Sequence, residues 1–246
     1  MKVILEVVGL TKQFRGLEAV SNLDFTVING EIMGIIGPNG AGKTTLFNLV
    51  TGFLIPTRGN IIFKGKSIVG MKPHQIVDYG MARTFQIVRP FNQLSLLDNV
   101  VVPLLSPKNR KRNKNRRENE KRAARILDQV GLANKMNLPA GMLSHGDHKR
   151  LEMARALATS PDLILLDEPF SGLSLPEIDS LSLLIEGLRE TGLSIIIIEH
   201  KLRELIKLIK RILVINFGLK IADGIPEEIA KNEKVIEAYM GKSRTL

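Results

Sequence analysis

The chain of 246 residues carries 35 Lys+Arg against 25 Asp+Glu, a formal net charge of +10, and contains neither Cys nor Trp. Its 44% hydrophobic and 24% charged content is globular, and its length allows a sizeable core, which excludes a disordered chain. The lack of cysteine excludes disulfides, thiolate zinc sites and cysteine nucleophiles, and fits a reducing compartment.

The opening MKVILEVVGLTK interrupts its apolar residues with Glu6 and has no small-residue cleavage pattern, so it reads as a strand over 3–8 and not as a signal peptide. Alternating Val20, Leu23, Phe25 and Val27 predict a second strand over 19–28. Asn29 and Gly30 then turn into a third over 32–36, apolar on both faces. A Gly-rich turn and a helix over 43–50 follow, then a strand over 60–63 and a helix from near Pro73. From about Pro90 the texture becomes helical, with a basic run over 108–125 and a helix over about 146–158, which reads as an inserted helical subdomain. Strand signals return at 163–166, 194–198 and 211–215, separated by helical stretches, as in a parallel α/β sheet. Apolar runs fall far short of the roughly 20 residues that span a bilayer, so a soluble chain is expected.

Gly37-Pro38-Asn39-Gly40-Ala41-Gly42-Lys43-Thr44 fits the Walker A pattern, between a buried strand and a helix as that loop requires. Glycines let backbone amides curl around phosphates, Lys43 brings a point charge to the outer phosphates, and the Thr44 hydroxyl can hold Mg²⁺. Thr45 can add a further phosphate contact. The strand over 163–166 ends in Asp167 and Glu168, which supply the carboxylates such a loop needs. Asp167 suits the metal; Glu168 suits the general base that polarises an attacking water.

Further stretches then resemble the ATP-binding cassette (ABC) family, in order and over essentially the whole chain. Gln86 in RTFQ falls at the Q-loop, Leu143-Ser144-His145-Gly146-Asp147 is similar to the signature motif, 171–174 to the D-loop, and His200 to the switch histidine. Phe14 falls where the family stacks an aromatic on adenine. The resemblance implies a P-loop NTPase (RecA-like) α/β fold: a parallel-sheet core with an N-terminal antiparallel β subdomain over 1–86 and 159–246, and the helical subdomain over 87–158. It implies Mg²⁺ at Thr44, Gln86 and Asp167, and His200 at the γ-phosphate. Ser144 and Gly146, at an apparent helix N-terminus, would grip the ATP of a second ABC subunit in a homo- or heterodimer.

Two departures from the family pattern stand out: His145 and Asp147 replace the usual Gly and Gln, and Ser174 takes the usual D-loop Asp position. His145 and His148 lie three apart, but no third metal ligand is evident. The HGD signature, the SGLSLPE segment and the tail GIPEEIAKNEKVIEAYMG resemble ATPases of branched-chain amino-acid importers; lipopolysaccharide-export ATPases share the tail but usually keep a GG signature. The implied partners are transmembrane permeases and, indirectly, a solute-binding protein, with the chain peripheral on the inner face of the cell membrane. Phe91, Leu94, Leu96 and Leu97 either line a permease-docking groove or fill the helical core.

A soluble nucleic-acid ABC protein is the competing class. Its translation type has two cassettes per chain and its repair type a long coiled-coil insertion, and neither feature is here. Nine Phe and two Tyr, the only aromatics, supply few base-stacking surfaces. The run over 108–125 holds ten Lys/Arg and two Glu, so it carries +8 of the +10. Such a run reads as a solvated face, or as a contact for anionic lipid headgroups.

Overall fold

The computed structural model describes residues 2–85, 90–106 and 115–240. Strands β1 (Val3–Phe14), β2 (Leu17–Ile28), β4 (Arg58–Phe63) and β5 (Lys66–Ser67) form an antiparallel sheet in the order β2-β1-β4-β5. The larger sheet joins β3 (Ile32–Ile36), β6 (Met81–Arg83), β7 (Leu163–Asp167), β8 (Ser194–Ile198), β9 (Arg211–Asn216) and β10 (Leu219–Gly224). Its order is β10-β9-β3-β8-β7-β6, and its neighbours run parallel except for the β9–β10 hairpin at one edge.

Both faces of β3, β7 and β8 are covered, which is why these strands read as unbroken apolar runs. Alternation divides the buried side chains of β3, β7, β8 and β9 between two cores. Ile32, Ile164, Leu166, Ile195, Ile197 and Val214 face a core shared with α3 (Leu96–Leu104), α4 (Arg116–Gln129), α5 (His145–Ala158) and α6 (Leu175–Glu190). Met33, Ile35, Leu165, Ile196, Ile198 and Leu213 face the antiparallel sheet and α1 (Lys43–Val50). Truncating one fully buried leucine such as Leu165 to alanine should remove about 2–5 kcal/mol.

The first two strands are longer than the expected 3–8 and 19–28. Gly9, at φ 54°, breaks the apolar alternation and marks a bulge, with the register shifting between Val7 and Leu10. The Gly9 N–H donates to Asp24 Oδ1 at 2.7 Å, and the ladder resumes through polar Lys12 and Gln13. Arg15 and Gly16, both at positive φ, close the hairpin with a two-residue turn.

Leu96 is fully buried and Leu97 packs against the same core, so these two are structural; Phe91 and Leu94 remain exposed. α2 (Pro73–Tyr79), α7 (Leu202–Ile206), α8 (Pro226–Ile229) and α9 (Glu233–Met240) complete the described α-helices. None of the described helices is long and apolar enough to cross a membrane. Gln86 and residues 108–114 of the basic run lie outside the described residues.

The parallel register aligns Gly34 with Ile197 and Asp167 with Ile198. The segments leaving the carboxyl ends of β3, β7 and β8 therefore emerge side by side, where ligands of open α/β sheets bind.

Candidate active site

The loop after β3 is shaped by its contacts with neighbouring backbone. A Cβ on Gly37 would stand 2.0 Å from the Ile215 carbonyl oxygen, and one on Gly42, at φ 103°, 2.3 Å from that of Ala19. α1 then starts with no side-chain cap and no acid in its first turn. Its leading amides and positive dipole end are thus free to meet an anion. Lys43 Nζ donates to the carbonyls of Gly37 at 2.6 Å and Pro38 at 2.9 Å. Burial pulls its pKa below the ordinary value, against the opposing pull of the Glu168 and Asp167 charges. Asn39, Gly40 and Thr44 are exposed, Ala41 is buried and Thr45 is half-buried. Phe14 is also exposed, at the tip of the hairpin whose Ala19 abuts Gly42, with Lys12 Nζ 5.1 Å from its ring centre.

Asp167 ends β7, and Glu168 follows at φ 49°, a left-handed conformation that is uncommon for a side-chain-bearing residue. The turn is held in place: Glu168 N–H donates to the Ile198 carbonyl at 2.9 Å. Glu168 Oε1 lies 3.1 Å from His200 Nε2. Sequence reasoning passed over Glu199, which is buried between them and organises both turns. Its carboxylate accepts the N–H of Phe170 at 2.6 Å, of His200 at 3.0 Å and of Lys201 at 3.3 Å. Burial pushes its pKa up, and these N–H donors pull it back.

Asp167 is already paired. Arg83, at the end of β6, donates to Asp167 Oδ2 at 2.8 Å and to Asn48 Oδ1 at 2.6 Å, with both members of the ion pair buried. Sequence reading did not register this three-residue strand, although its basic residue sat in the RTFQ motif. A cleft of roughly 650 Å³ joins Thr44 and Asp167 to Arg83, Phe85, Glu152 and Arg155. Glu152, also missed, accepts the Phe85 N–H, and burial pushes its pKa up to about 7. At the far end of the chain, the half-exposed Tyr239 meets the backbone of Gly37, so the C-terminal helix touches the loop.

Lys43, Thr44, Asp167, Glu168 and His200 thus share one site. Ser144 and Gly146 do not join it. They line a small pocket with Asp147, Arg150 and Glu177 that includes none of the described loop residues 37–45. Ser144 caps α5 by accepting the Asp147 N–H at 3.2 Å. Burial would raise the Asp147 pKa, but hydrogen bonds from Lys135 and Ser144 hold it below the usual carboxylate value. Among the described residues no group of three or more His, Cys, Asp or Glu stands close enough together to hold a metal ion.

The ABC transporter family profile matches residues 20–171, and that of branched-chain amino acid ATP-binding cassette transporters matches 220–244. The chain is 40% identical to the high-affinity branched-chain amino acid transport ATP-binding protein BraF of Pseudomonas aeruginosa and 39% to LivG of Escherichia coli, with 98% of each chain covered. Identity to the lipopolysaccharide export system ATP-binding protein LptB of Haemophilus influenzae is 33%, covering 97% of this chain and 98% of LptB. Among solved structures, an ABC transporter cassette in its ADP conformation superposes with a TM-score of 0.89 at 31% identity, covering 98% of this chain and all of that one. The chain therefore belongs to the ABC transporter family, as one of its ATP-binding subunits.

Proposed function

We propose that this chain binds and hydrolyses ATP to energise a membrane importer of branched-chain amino acids, working as a dimer on the inner face of the membrane against transmembrane permeases. The convergence of Lys43, Thr44, Asp167, Glu168 and His200 at the carboxyl ends of neighbouring strands carries the enzymatic half of this reading. The loop amides and Lys43 bind the phosphates, with Lys43 exchanging the Gly37 and Pro38 carbonyls for phosphate oxygens. Glu168 takes the proton of the attacking water, and His200 orients that carboxylate and the γ-phosphate. Phe14 offers its exposed ring to the adenine.

Thr44 and Asp167 line one cleft and are hard oxygen donors, a donor set that fits Mg²⁺. The cation would neutralise phosphate charge there; Gln86 is proposed as a further ligand. Because Ser144 and Gly146 lie apart from their own loop, they would serve the nucleotide of a second subunit.

The match of the tail over 220–244 and the higher identity to BraF and LivG than to LptB favour import of branched-chain amino acids over lipopolysaccharide export. Uptake of labelled leucine by cells lacking this chain, with and without its restored gene, tests the substrate. Uptake should depend on the gene; leucine uptake that ignores it would overturn the importer reading. Phosphate release from ATP by the purified chain tests the enzyme separately.

A further inference from the structure

His145 stands where the family has glycine, so its imidazole needs an account of its own. The ring reaches 26 positions along the chain to the turn after the catalytic acids, where Nε2 lies 3.1 Å from the Ser171 carbonyl oxygen. A carbonyl can only accept, so Nε2 carries the proton and donates. Gly172 leaves room for the exposed ring. Gly172, at φ 76°, would place a Cβ 2.8 Å from Nε2 and 3.1 Å from Cδ2, so any side chain there would push the imidazole out.

A second tie runs alongside. Glu177 Oε2 accepts the Ser174 N–H at 2.9 Å and hydroxyl at 2.6 Å, a capping box at the start of α6. Its other oxygen lies over Gly146, where a Cβ would stand 2.6 Å from Oε1. The hydroxyl and N–H of Ser174 hold the Glu177 carboxyl below its ordinary pKa, so it stays a fixed acceptor. Two of the three departing residues, His145 and Ser174, are therefore parts of one contact between the start of α5 and the segment that follows Glu168.

We propose that His145 is a positioning residue that locks the phosphate-gripping end of α5 to the Ser171–Gly172 turn, coupling the two nucleotide sites of the dimer through each chain. This rests on the reading that Ser144 and Gly146 serve the partner subunit's nucleotide. When that nucleotide seats Ser144, the His145 bond transmits the displacement to the backbone three residues beyond Glu168, which acts on the chain's own nucleotide. Loss of the bond leaves each site intact and the two sites independent.

The test compares wild-type protein with His145→Ala and His145→Gln. Amide hydrogen exchange at 171–173, without nucleotide, should speed up in His145→Ala and return toward wild type in His145→Gln, whose side-chain amide can donate to the same carbonyl. Steady-state ATP hydrolysis should show the Hill coefficient falling toward 1 in His145→Ala, with kcat lowered about fivefold, the rate equivalent of one neutral hydrogen bond. Nucleotide affinity at subunit concentrations too low for dimerisation should be unchanged, and glutamine should recover most of the cooperativity. Unchanged exchange at 171–173 overturns the proposal whatever the enzyme does. Faster exchange with an unaltered Hill coefficient and kcat, or a glutamine variant no better than alanine, overturns it too. A wild-type chain that neither hydrolyses ATP nor dimerises with it would instead bring down the functional reading.

Discussion

Glu168 Oε1 and His200 Nε2 stand 3.1 Å apart although 32 positions separate them in the chain. The parallel pairing of β7 with β8 aligns Asp167 with Ile198, so the residues that follow the two strands meet at their carboxyl ends. Glu168 takes a left-handed backbone and its carboxylate meets the imidazole, while the buried Asp167 pairs with Arg83. A base so placed is replaceable in shape by glutamine but not in chemistry. Glu168→Gln should lower kcat by at least about 100-fold while ATP binding persists, and the ATP-bound dimer should accumulate in light scattering. Phosphate release at the wild-type rate would remove Glu168 from the role of base.

The Arg83–Asp167 ion pair makes a different prediction, because both partners are buried. Arg83→Met leaves the carboxylate without its cation in a desolvated site. That change should destabilise the fold by about 3–5 kcal/mol in urea unfolding, and adding Asp167→Asn should return part of the loss. A single variant as stable as wild type would show that other groups hold the Asp167 charge.

These two cases show what was legible in the sequence. The Walker A loop, Asp167 with Glu168, and His200 each follow an unbroken apolar strand, so residue type and position relative to a strand were enough. Glu199 carries the same mark, an acid after the run of isoleucines, but was overshadowed by its neighbour His200. Arg83 and Glu152 could not be read this way. Arg83 belongs to a strand of three residues, too short for an alternation pattern, and Glu152 lies on the helix that Ser144 caps but meets its partner 67 positions away. The strand ends at Phe14 and Leu17 were missed because a bulge at Gly9 makes polar residues continue a ladder that the apolar pattern had ended.

Glu152 should make stability depend on pH. Its carboxyl titrates near 4.5 when unburdened and is pushed up to about 7 in the fold, chiefly by burial. Between these values the folded chain binds more protons than the unfolded one, so stability falls as pH rises through the window and levels off above it. The stabilising proton is fully present below about 4.5 and lost by about 7. Glutamine keeps the acceptor for the Phe85 N–H and cannot ionise. Glu152→Gln should thus gain on wild type as pH rises from 5 to 8, by about 3 kcal/mol at most. Parallel stability curves for the two proteins across that range would contradict the raised pKa.

Gly40 and Gly42 offer a contrast within one loop. Both have positive φ, 79° and 103°, so alanine strains the backbone at either position. At Gly40 the added methyl meets nothing within 4 Å, whereas at Gly42 it would stand 2.3 Å from the Ala19 carbonyl oxygen. That oxygen belongs to β2, and the Gly218 backbone closes in at 3.5 Å, so no flexible side chain can yield. Gly40→Ala should lose only the conformational term, about 1 kcal/mol, and keep most of its ATP affinity. Gly42→Ala must move either the strand or the loop. Because Gly42 leads directly into α1, moving the loop turns the first amides away from the phosphates. It should therefore melt well below Gly40→Ala and bind ATP at least about tenfold more weakly, the equivalent of one charge-assisted hydrogen bond. Equal melting temperatures and affinities for the two variants would mean that the approach of Ala19 does not shape the loop.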